Sequence, residues 1–199
     1  MVKILLATGN KGKIKEMNAL FSDMDIEFIG TDTLKETPEV VEDGKTYHDN
    51  ALKKAMTFYK IALIPTLAED SGLEVDALHG APGVYSARIA GEGAPDAEKV
   101  RKLLEMMKDV PDERRTARFV SVLCLVLDGK PYFFEGQVRG HITRRPSGRS
   151  GFGFDPVFVP EGYKRTFASL GQKTKNRISH RARAIEKLKE FLKERLTRS

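Results

Sequence analysis

The run Thr8-Gly9-Asn10-Lys11-Gly12-Lys13 places glycines, lysines and a hydroxyl between an apolar segment and a helical pattern. Glycines let a backbone approach a ligand closely, and a helix N-terminus attracts anions, to which lysines add positive charge. The run is not a standard P-loop, because Ala7 replaces its first glycine and Ile14 replaces its magnesium-binding Ser/Thr. The pattern therefore suits either a phosphate-binding loop or an ordinary turn with exposed lysines.

Two pairs of neighbouring carboxylates are candidate metal ligands. Glu42-Asp43 lies in a polar, irregular stretch, and Glu69-Asp70 stands at the predicted end of an apolar strand. Carboxylates at strand ends of α/β folds commonly face the ligand crevice, and magnesium prefers such hard oxygens. On spacing alone, solvated loop carboxylates are the simpler interpretation.

A second glycine-rich run, Gly151-Phe152-Gly153-Phe154-Asp155-Pro156, follows a polar turn at residues 147–150. It is not a dinucleotide-binding fingerprint, because Asp155-Pro156 stands where that motif begins a helix. The two phenylalanines suit stacking on a nucleobase. They suit equally a hairpin or bulge whose rings fill the core, and the sequence leaves both interpretations open.

A basic segment, Lys175-Asn176-Arg177-Ile178-Ser179-His180-Arg181, belongs to the last predicted helix. Arg181 falls on the otherwise apolar stripe 181–185–188–192. A guanidinium on an apolar face needs either a carboxylate partner or a ligand. His180 by itself is typical of a surface or capping histidine, and its position beside Arg181 favours a functional role.

The elements that must position these residues follow from the hydrophobic periodicity. Helices alternate with strands early in the chain and a long hairpin comes late, which predicts an α/β fold with a mixed sheet. No repeat or linker appears, so we expect a single domain over residues 1–199. The predicted strands are 2–7, 27–29, one beginning at Leu67, 116–127 and 131–144, the last two joined by Asp128-Gly129; the predicted helices lie near 14–21, 47–59, 95–107 and 178–196.

The composition limits the class of protein. A single cysteine, Cys124, excludes an internal disulfide, and its place in the apolar run 120–127 predicts a buried strand thiol. That run is too short to span a bilayer, and the apolar N-terminal segment is too brief for a signal peptide, so we expect a soluble cytoplasmic protein without a membrane partner. The net charge of +6 favours an anionic partner without choosing among nucleic acid, nucleotide and acidic lipid.

Taken together, these segments resemble the inosine triphosphate pyrophosphatase family, the non-standard purine NTP pyrophosphatases. The resemblance extends from Thr8 to the last helix. Each motif alone is weak, but seven in the same order are specific. They are residues 8–13, 42–44, 50–55, 69–78, 80–88, 151–156 and 179–181.

The resemblance implies hydrolysis of ITP, dITP and XTP to the monophosphate and pyrophosphate, which cleanses the nucleotide pool. It also implies a homodimer and an elongated mixed sheet with helices on its faces, in two lobes around a substrate cleft. Magnesium is the implied cofactor, held by Glu42 and Asp70, and Asp70 is the implied catalytic base. The implied substrate-binding residues are Thr8, Gly9, Asn10, Lys11, Gly12, Lys13, Lys54, Ser71, Phe152, Gly153, Phe154, Asp155, Lys175, His180 and Arg181.

The implied chemistry fits these residue types. Phosphoryl transfer needs positioning and charge neutralisation, which lysines and magnesium provide, and a carboxylate can deprotonate the attacking water. Hypoxanthine and xanthine carry an oxygen at position 6 where adenine carries an amino group, so donors such as Arg181 would favour the former. Guanine shares the 6-oxo group, and nothing in the sequence accounts for its rejection.

Two other functions are compatible with parts of the sequence. A Maf-like pyrophosphatase that prefers dTTP and UTP resembles this family in fold and chemistry, but its opening motif differs and it lacks the Ser179-His180-Arg181 equivalent. A non-enzymatic nucleic-acid-binding protein would suit the charge and the basic C-terminal helix. No recognised nucleic-acid-binding motif appears, so we expect no stable nucleic-acid partner.

Overall fold

The computed structural model describes residues 1–196. The strands are β1 (Val2–Leu6), β2 (Ile26–Ile29), β3 (Thr66–Val75), β4 (Thr116–Leu127), β5 (Lys130–Ile142) and β6 (Phe158–Pro160). The helices are α1 (Lys11–Leu20), α2 (Tyr47–Ala62), α3 (Asp96–Met106), α4 (Phe167–Leu170), α5 (Gln172–Ile178) and α6 (His180–Leu196), and short 3-10 turns occupy Thr31–Thr33, Asp76–Leu78, Gly83–Arg88 and Asp112–Arg114. None of the helices within residues 1–196 is long and apolar enough to cross a membrane.

The strands form one mixed sheet in the order β2-β1-β3-β4-β5-β6. β1 pairs in parallel with both β2 and β3, whereas β6 runs antiparallel to β5. Parallel neighbours need a crossover connection, and the helices early in the chain supply it. The predicted α/β fold with a mixed sheet is confirmed, while the expectations of a single domain and of two lobes around a cleft stay predictions.

Helix α2 shows how the local sequence sets an element that carries the site. Thr46 Oγ1 accepts a hydrogen bond from the Asp49 N–H, and the Asp49 carboxylate accepts one from the Thr46 N–H, each at 3.1 Å. This capping box fixes where the helix begins. The buried side chains of α2 are Tyr47, Asn50, Ala51, Ala55 and Phe58. Asn50 is the polar member of this otherwise nonpolar or aromatic set.

The predicted hairpin between β4 and β5 is confirmed. Asp128 and Gly129 both have positive φ angles, 53° and 74°. Two consecutive residues in this region form the turn whose twist matches paired strands, and Asp-Gly is a preferred sequence for it.

The chain separates into two compact units. Unit 1 comprises residues 1–70, 122–135 and the chain from 185 on, and unit 2 comprises residues 71–121 and 136–184. Unit 2 is built around the aromatic side chains of Phe119, Phe158 and Phe167, with ring centroids 4.6 and 5.5 Å apart for the Phe119–Phe158 and Phe158–Phe167 pairs. The core of unit 1 contains fully buried side chains such as Leu5, Phe21, Leu67 and Leu125.

Two of the predicted elements have an extent or number different from that predicted. Strand β3 does not end at Glu69-Asp70 but continues to Val75, because Leu73 and Val75 are buried in the core of unit 2. The predicted last helix is two helices, since Ser179 is extended (φ −67°, ψ 161°) between α5 and α6. Ser179 Oγ accepts a hydrogen bond from the Ala182 N–H at 3.2 Å, so this serine caps a new helix.

Candidate active site

Strands β1 and β3 bring two predicted segments of unit 1 together. In this parallel pair Leu6 lies opposite Leu67, so residues 8–13 leave β1 beside Glu69-Asp70. Lys13 Nζ lies 3.9 Å from Glu69 Oε2, in agreement with this placement. A lysine- and glycine-rich loop therefore lies next to the carboxylate pair.

The loop itself is organised by Asn10. Its Oδ1 accepts hydrogen bonds from the N–H groups of Gly12 and Lys13 at 2.9 and 3.3 Å, and its own N–H donates to Thr8 Oγ1 at 3.2 Å. Gly9, Asn10, Lys11 and Gly12 are exposed, and the first turn of α1 contains no acidic residue. The positive end of the helix is thus reachable by an anion.

Asp70 is the most buried carboxylate of this group, 9% exposed. Its Oδ2 accepts a hydrogen bond from Asn50 Nδ2 at 2.9 Å, and Asn50 Oδ1 accepts one from the Gly44 N–H at 2.7 Å. Both the Nδ2 and the Oδ1 of the Asn50 side chain thus make hydrogen bonds, and this fixes the orientation of its amide. A Cβ at Gly44 would lie 2.6 Å from Asn50 Oδ1, so this approach requires glycine.

Two lysines of α2 pair with the other acidic segment. Lys54 Nζ donates to Glu42 Oε1, and Lys53 Nζ lies 2.6 Å from Asp43 Oδ1. Asn50 and Lys54 are four residues apart and so project from the same face of α2. Glu42 and Asp70 are therefore both attached to one helical face.

Glu42 and Asp70 fit a magnesium site shared with a phosphate. Magnesium is usually bound by one or two carboxylates together with water and substrate phosphates, not by a cage made of protein alone. Within the described residues, no three or more His, Cys, Asp or Glu side chains form such a cage. Two carboxylates attached to one helical face match the shared arrangement.

The second group lies in unit 2, around residues 151–155, which we call the Phe152 loop. The Asp155 carboxylate is 1% exposed, and its Oδ2 accepts hydrogen bonds from the Phe152 N–H at 2.9 Å and from Lys175 Nζ at 2.5 Å. Burial raises the pKa of Asp155, and the Lys175 ammonium opposes this shift. A Cβ at Gly151, whose φ is +83°, would lie 2.0 Å from Asp155 Oδ2, so only glycine fits there.

The two phenylalanines of the Phe152 loop have different environments. Phe154 is 3% exposed and packs in the core of unit 2. Phe152 is 62% exposed, with Lys175 Nζ 3.9 Å from its ring centroid. The core-filling interpretation is therefore confirmed for Phe154, whereas base stacking by the exposed Phe152 stays a prediction.

His180 and Arg181 form the first turn of α6. His180 is 8% exposed and stacks on Phe119, with ring centroids 4.8 Å apart and an interplanar angle of 14°, so it is not a surface histidine. Arg181 is half-buried. A Cβ at Gly136 of β5 would lie only 2.0 Å from the His180 carbonyl oxygen, so this glycine permits the close approach of helix to strand.

The structure divides the predicted site residues into two sets, one in each unit. The set in unit 1 is Thr8, Gly9, Asn10, Lys11, Gly12, Lys13, Glu42, Lys54 and Asp70; the set in unit 2 is Ser71, Phe152, Gly153, Phe154, Asp155, Lys175, His180 and Arg181. Ser71 is exposed and follows Asp70 in β3, so the two side chains point to opposite faces of the strand.

Sequence reasoning missed Asn50 and Gly136 as site-building residues. Asn50 interrupts the buried stripe of α2, and an amide at such a position is a readable signal for a polar partner. Gly136 lies within a strand pattern, where glycine commonly marks a close backbone approach. The sequence does not show which residue each one contacts, because Asp70 lies 20 residues from Asn50 and His180 lies 44 residues from Gly136.

Comparison with known proteins identifies the family of this chain. The profile of the Ham1 family matches residues 4–191. The chain is 46% identical to a dITP/XTP pyrophosphatase of Shouchella clausii over 193 residues, which cover 96% of this chain and 97% of the relative. Among solved structures, a HAM1 protein from Coxiella burnetii has a TM-score of 0.92 at 41% identity, covering 98% of this chain and all of its own. A nucleoside-triphosphatase / dITP/XTP pyrophosphatase from Mycobacterium abscessus has a TM-score of 0.82 at 42% identity, covering 94% and 98%. The resemblance drawn from the seven motifs is confirmed: this chain belongs to the Ham1 family.

Proposed function

We propose that the protein hydrolyses the deaminated purine nucleoside triphosphates ITP, dITP and XTP to the monophosphate and pyrophosphate. The observation that carries this proposal is the buried Asp70 carboxylate, oriented by Asn50 and lying beside the basic loop 8–13. Relatives named dITP/XTP pyrophosphatase over nearly the full length support the same activity.

Loop 8–13 and Lys54 are proposed to bind the triphosphate. The N-terminus of α1 offers a positive dipole end, and its lysines add formal charge. Lys54 pairs with Glu42, and Lys13 lies near Glu69. An arriving triphosphate would compete with these carboxylates for the ammonium groups, which would then neutralise its charge.

Asp70 is proposed to act as the general base. Asn50 donates to one of its oxygens and so fixes the plane of the carboxylate. An oriented carboxylate can accept a proton from the water that attacks the α-phosphorus, and pyrophosphate then departs. No cysteine or serine nucleophile is required, because water attacks directly.

Glu42 and Asp70 are proposed to hold magnesium. When bound, the ion supplies positive charge for the phosphate oxygens and the departing pyrophosphate. The carboxylates contribute hard oxygen ligands, and Asn50 and Lys54 set their positions from one face of α2.

The residues of unit 2 are proposed to bind the nucleoside. The exposed ring of Phe152 offers a stacking surface for a base. Ser71, Gly153, Phe154, Asp155, Lys175 and His180 are proposed to shape this part of the site. Arg181 offers donors and no acceptor, which favours a 6-oxo purine over adenine.

We also propose that the enzyme is a homodimer and works in the cytoplasm, where the nucleotide pool lies. Light scattering on the purified protein is expected to give twice the 22.3 kDa mass of one chain. A mass of one chain at micromolar concentration would contradict the dimer.

A substrate panel tests the proposed activity. With magnesium present, kcat/KM for ITP, dITP and XTP is expected to exceed that for ATP by at least about 100-fold, because the 6-amino group of adenine would leave the donors for a 6-oxo purine unpaired. A preference for dTTP or UTP would indicate the Maf-like activity instead. Absence of triphosphate turnover together with steeply salt-dependent duplex binding would indicate a nucleic-acid-binding protein.

A further inference from the structure

Asp96, the first residue of α3, is attached to the Phe152 loop. Its Oδ2 accepts a hydrogen bond from the Gly153 N–H at 2.7 Å, and its Oδ1 lies 3.1 Å from Lys99 Nζ. A carboxylate in the first turn of a helix is also favoured by the helix dipole. Donation by the Gly153 N–H lowers the pKa of Asp96 against the opposing effect of burial, and Lys99 acts in the same direction as Gly153. Asp96 is therefore a charged acceptor at neutral pH.

Two carboxylates accept from consecutive amides of the Phe152 loop. Asp155 accepts from the Phe152 N–H, and Asp96 accepts from the Gly153 N–H. The first of these N–H groups belongs to the peptide plane before the Phe152 Cα atom, and the second belongs to the plane after it. When both planes are fixed, the φ and ψ angles of Phe152 are fixed, and with them the direction of its Cα–Cβ bond.

Packing alone does not orient the Phe152 ring. The side chain is 62% exposed, and its ring is covered on one face only by Lys175 Nζ, which is held by Asp155 and lies 3.9 Å from the ring centroid. The flanking glycines, Gly151 and Gly153, have φ angles of +83° and +58°, a region that glycine enters without strain. Backbone anchors are thus needed to keep this loop in one conformation.

We propose that Asp96 is a positioning residue that sets the direction of Phe152 and so strengthens binding of the nucleobase. This inference rests on the proposed function, in which Phe152 stacks on the base. Asp96 acts through a loop assigned to the base and not to the phosphates. Its loss should therefore weaken substrate binding and leave the chemical step nearly unchanged.

Steady-state kinetics with ITP test the functional part of this inference. Asp96→Ala is expected to raise KM about 5- to 10-fold with kcat within about twofold of wild type, since one charge-assisted but partly solvated hydrogen bond is lost. Asp96→Asn keeps an oxygen that can accept from Gly153 and is expected to restore KM to within about twofold. Lys99→Ala removes the ion pair but keeps the Gly153 hydrogen bond, so it serves as the matched control with wild-type kinetics.

Hydrogen exchange in the substrate-free protein tests the anchor itself. Amides of residues 152–155 are expected to exchange at least about tenfold faster in Asp96→Ala than in wild type, and at the wild-type rate in Lys99→Ala. Unchanged exchange in Asp96→Ala would overturn the inference, as would faster exchange with an unchanged KM. A lowered melting temperature with kcat and KM affected alike, and no rescue by Asp96→Asn, would also overturn it in favour of a purely structural role. Failure of the wild-type protein to hydrolyse ITP would instead contradict the proposed function, while exchange would still decide whether Asp96 anchors the loop.

Discussion

The carboxylate of Asp70 lies inside a strand, nearly buried, with an amide donor oriented toward it from α2. Placing a carboxylate there is costly compared with an apolar residue, so packing does not explain its presence. Asn50 and Gly44 serve to orient this group through two linked hydrogen bonds. An oriented, ionisable side chain beside a basic loop is the arrangement expected of a catalytic base.

Replacement of Asp70 tests this role. Asp70→Asn is expected to lower kcat on ITP at least about 100-fold, the low end for loss of general-base catalysis. The change is nearly isosteric, so the melting temperature should stay close to that of wild type. Asp43→Asn makes the same substitution at the exposed partner of Lys53 and should retain turnover within about twofold. Wild-type turnover in Asp70→Asn would remove this residue from the mechanism.

Arg181 provides a second test, which concerns choice of base. If its guanidinium donates to the 6-oxo group, Arg181→Ala should weaken transition-state binding of ITP by about 1.5–3 kcal/mol. This loss corresponds to a decrease of roughly ten- to a hundredfold in kcat/KM for ITP. Activity on ATP should fall less, so the ratio of kcat/KM for ITP to kcat/KM for ATP should decrease. Arg183→Ala, two positions along α6, removes an exposed arginine that donates to the Gln137 carbonyl and should leave the ratio unchanged. An unchanged ratio in Arg181→Ala with a lower melting temperature would show that the residue only anchors the helix.

At the residue scale, the sequence identified candidates but not their environments. Phe152 and Phe154 lie on either side of Gly153, and yet one is exposed and the other is in the core. The difference arises from the positive φ angles at Gly151 and Gly153 and from the bond between Asp155 and the Phe152 N–H. The position of the Asp155 carboxylate in turn depends on Lys175, which lies 20 residues away in the sequence. The local spacing of residues therefore does not predict these contacts.

At the scale of elements, the contact between β5 and α6 positions His180 and Arg181. Gly136→Ala would place a Cβ 2.0 Å from the His180 carbonyl oxygen and 2.5 Å from the Ala184 nitrogen, both of them backbone atoms. The start of α6 must then move, which should lower the free energy of unfolding by about 1–3 kcal/mol. This loss is expected even though alanine is otherwise more favourable than glycine in a strand. Urea unfolding should measure this loss, and kcat/KM for ITP should fall with it.

Gln137→Ala is the control for this prediction. It lies beside Gly136 in β5 and loses only a 3.3 Å hydrogen bond from Arg118, so its cost should stay below about 1 kcal/mol. Equal stability of Gly136→Ala and wild type would mean that the helix is not held by this contact.

Most elements were predictable because their signals are local. The Thr46 capping box and the Asp128-Gly129 turn lie within the elements that they define. The misread elements depend on distant contacts. β3 continues past Asp70 because Leu73 and Val75 are buried in the core of unit 2. The break at Ser179 was readable in principle, because serine is a good helix cap, but the apolar spacing of the two helices concealed it.

At the scale of the whole molecule, Cys124 reports on the integrity of the fold. It is fully buried in β4, as the sequence predicted, and burial raises the pKa of its thiol to about 12. At pH 8 the thiolate fraction is then only about one in ten thousand. The thiol should react with a thiol-specific reagent at least about 1,000-fold more slowly in the native protein than in urea. Rapid reaction in native buffer would show that β4 opens locally.

The same shift determines a pH dependence of stability. The folded state keeps the Cys124 proton to higher pH than the unfolded state does, because the folded pKa is the higher of the two. The contribution of the protonated Cys124 thiol to the free energy of unfolding is therefore complete at neutral pH, and it is lost as the pH rises from about 9 toward 12. The free energy of unfolding of Cys124→Ala should decline less over this range than that of wild type. Parallel declines would mean that the thiol does not contribute.

Overall charge was the weakest guide to function. The +6 excess was compatible with nucleic acid, nucleotide or lipid, and only the order of the seven motifs separated these partners. The structure shows lysines paired locally with carboxylates, as for Lys53 with Asp43 and Lys189 with Asp23. Net charge therefore says little about where an anion would bind.

Phosphorus NMR of the products formed from ITP tests the central claim most directly. We propose that Asp70, Asn50 and the basic loop, in the presence of magnesium, direct water to the α-phosphorus, so that the bond between the α and β phosphates is broken. The spectrum should show IMP and pyrophosphate in equal amounts, with no IDP at early times. Formation of IDP and orthophosphate instead would contradict the account.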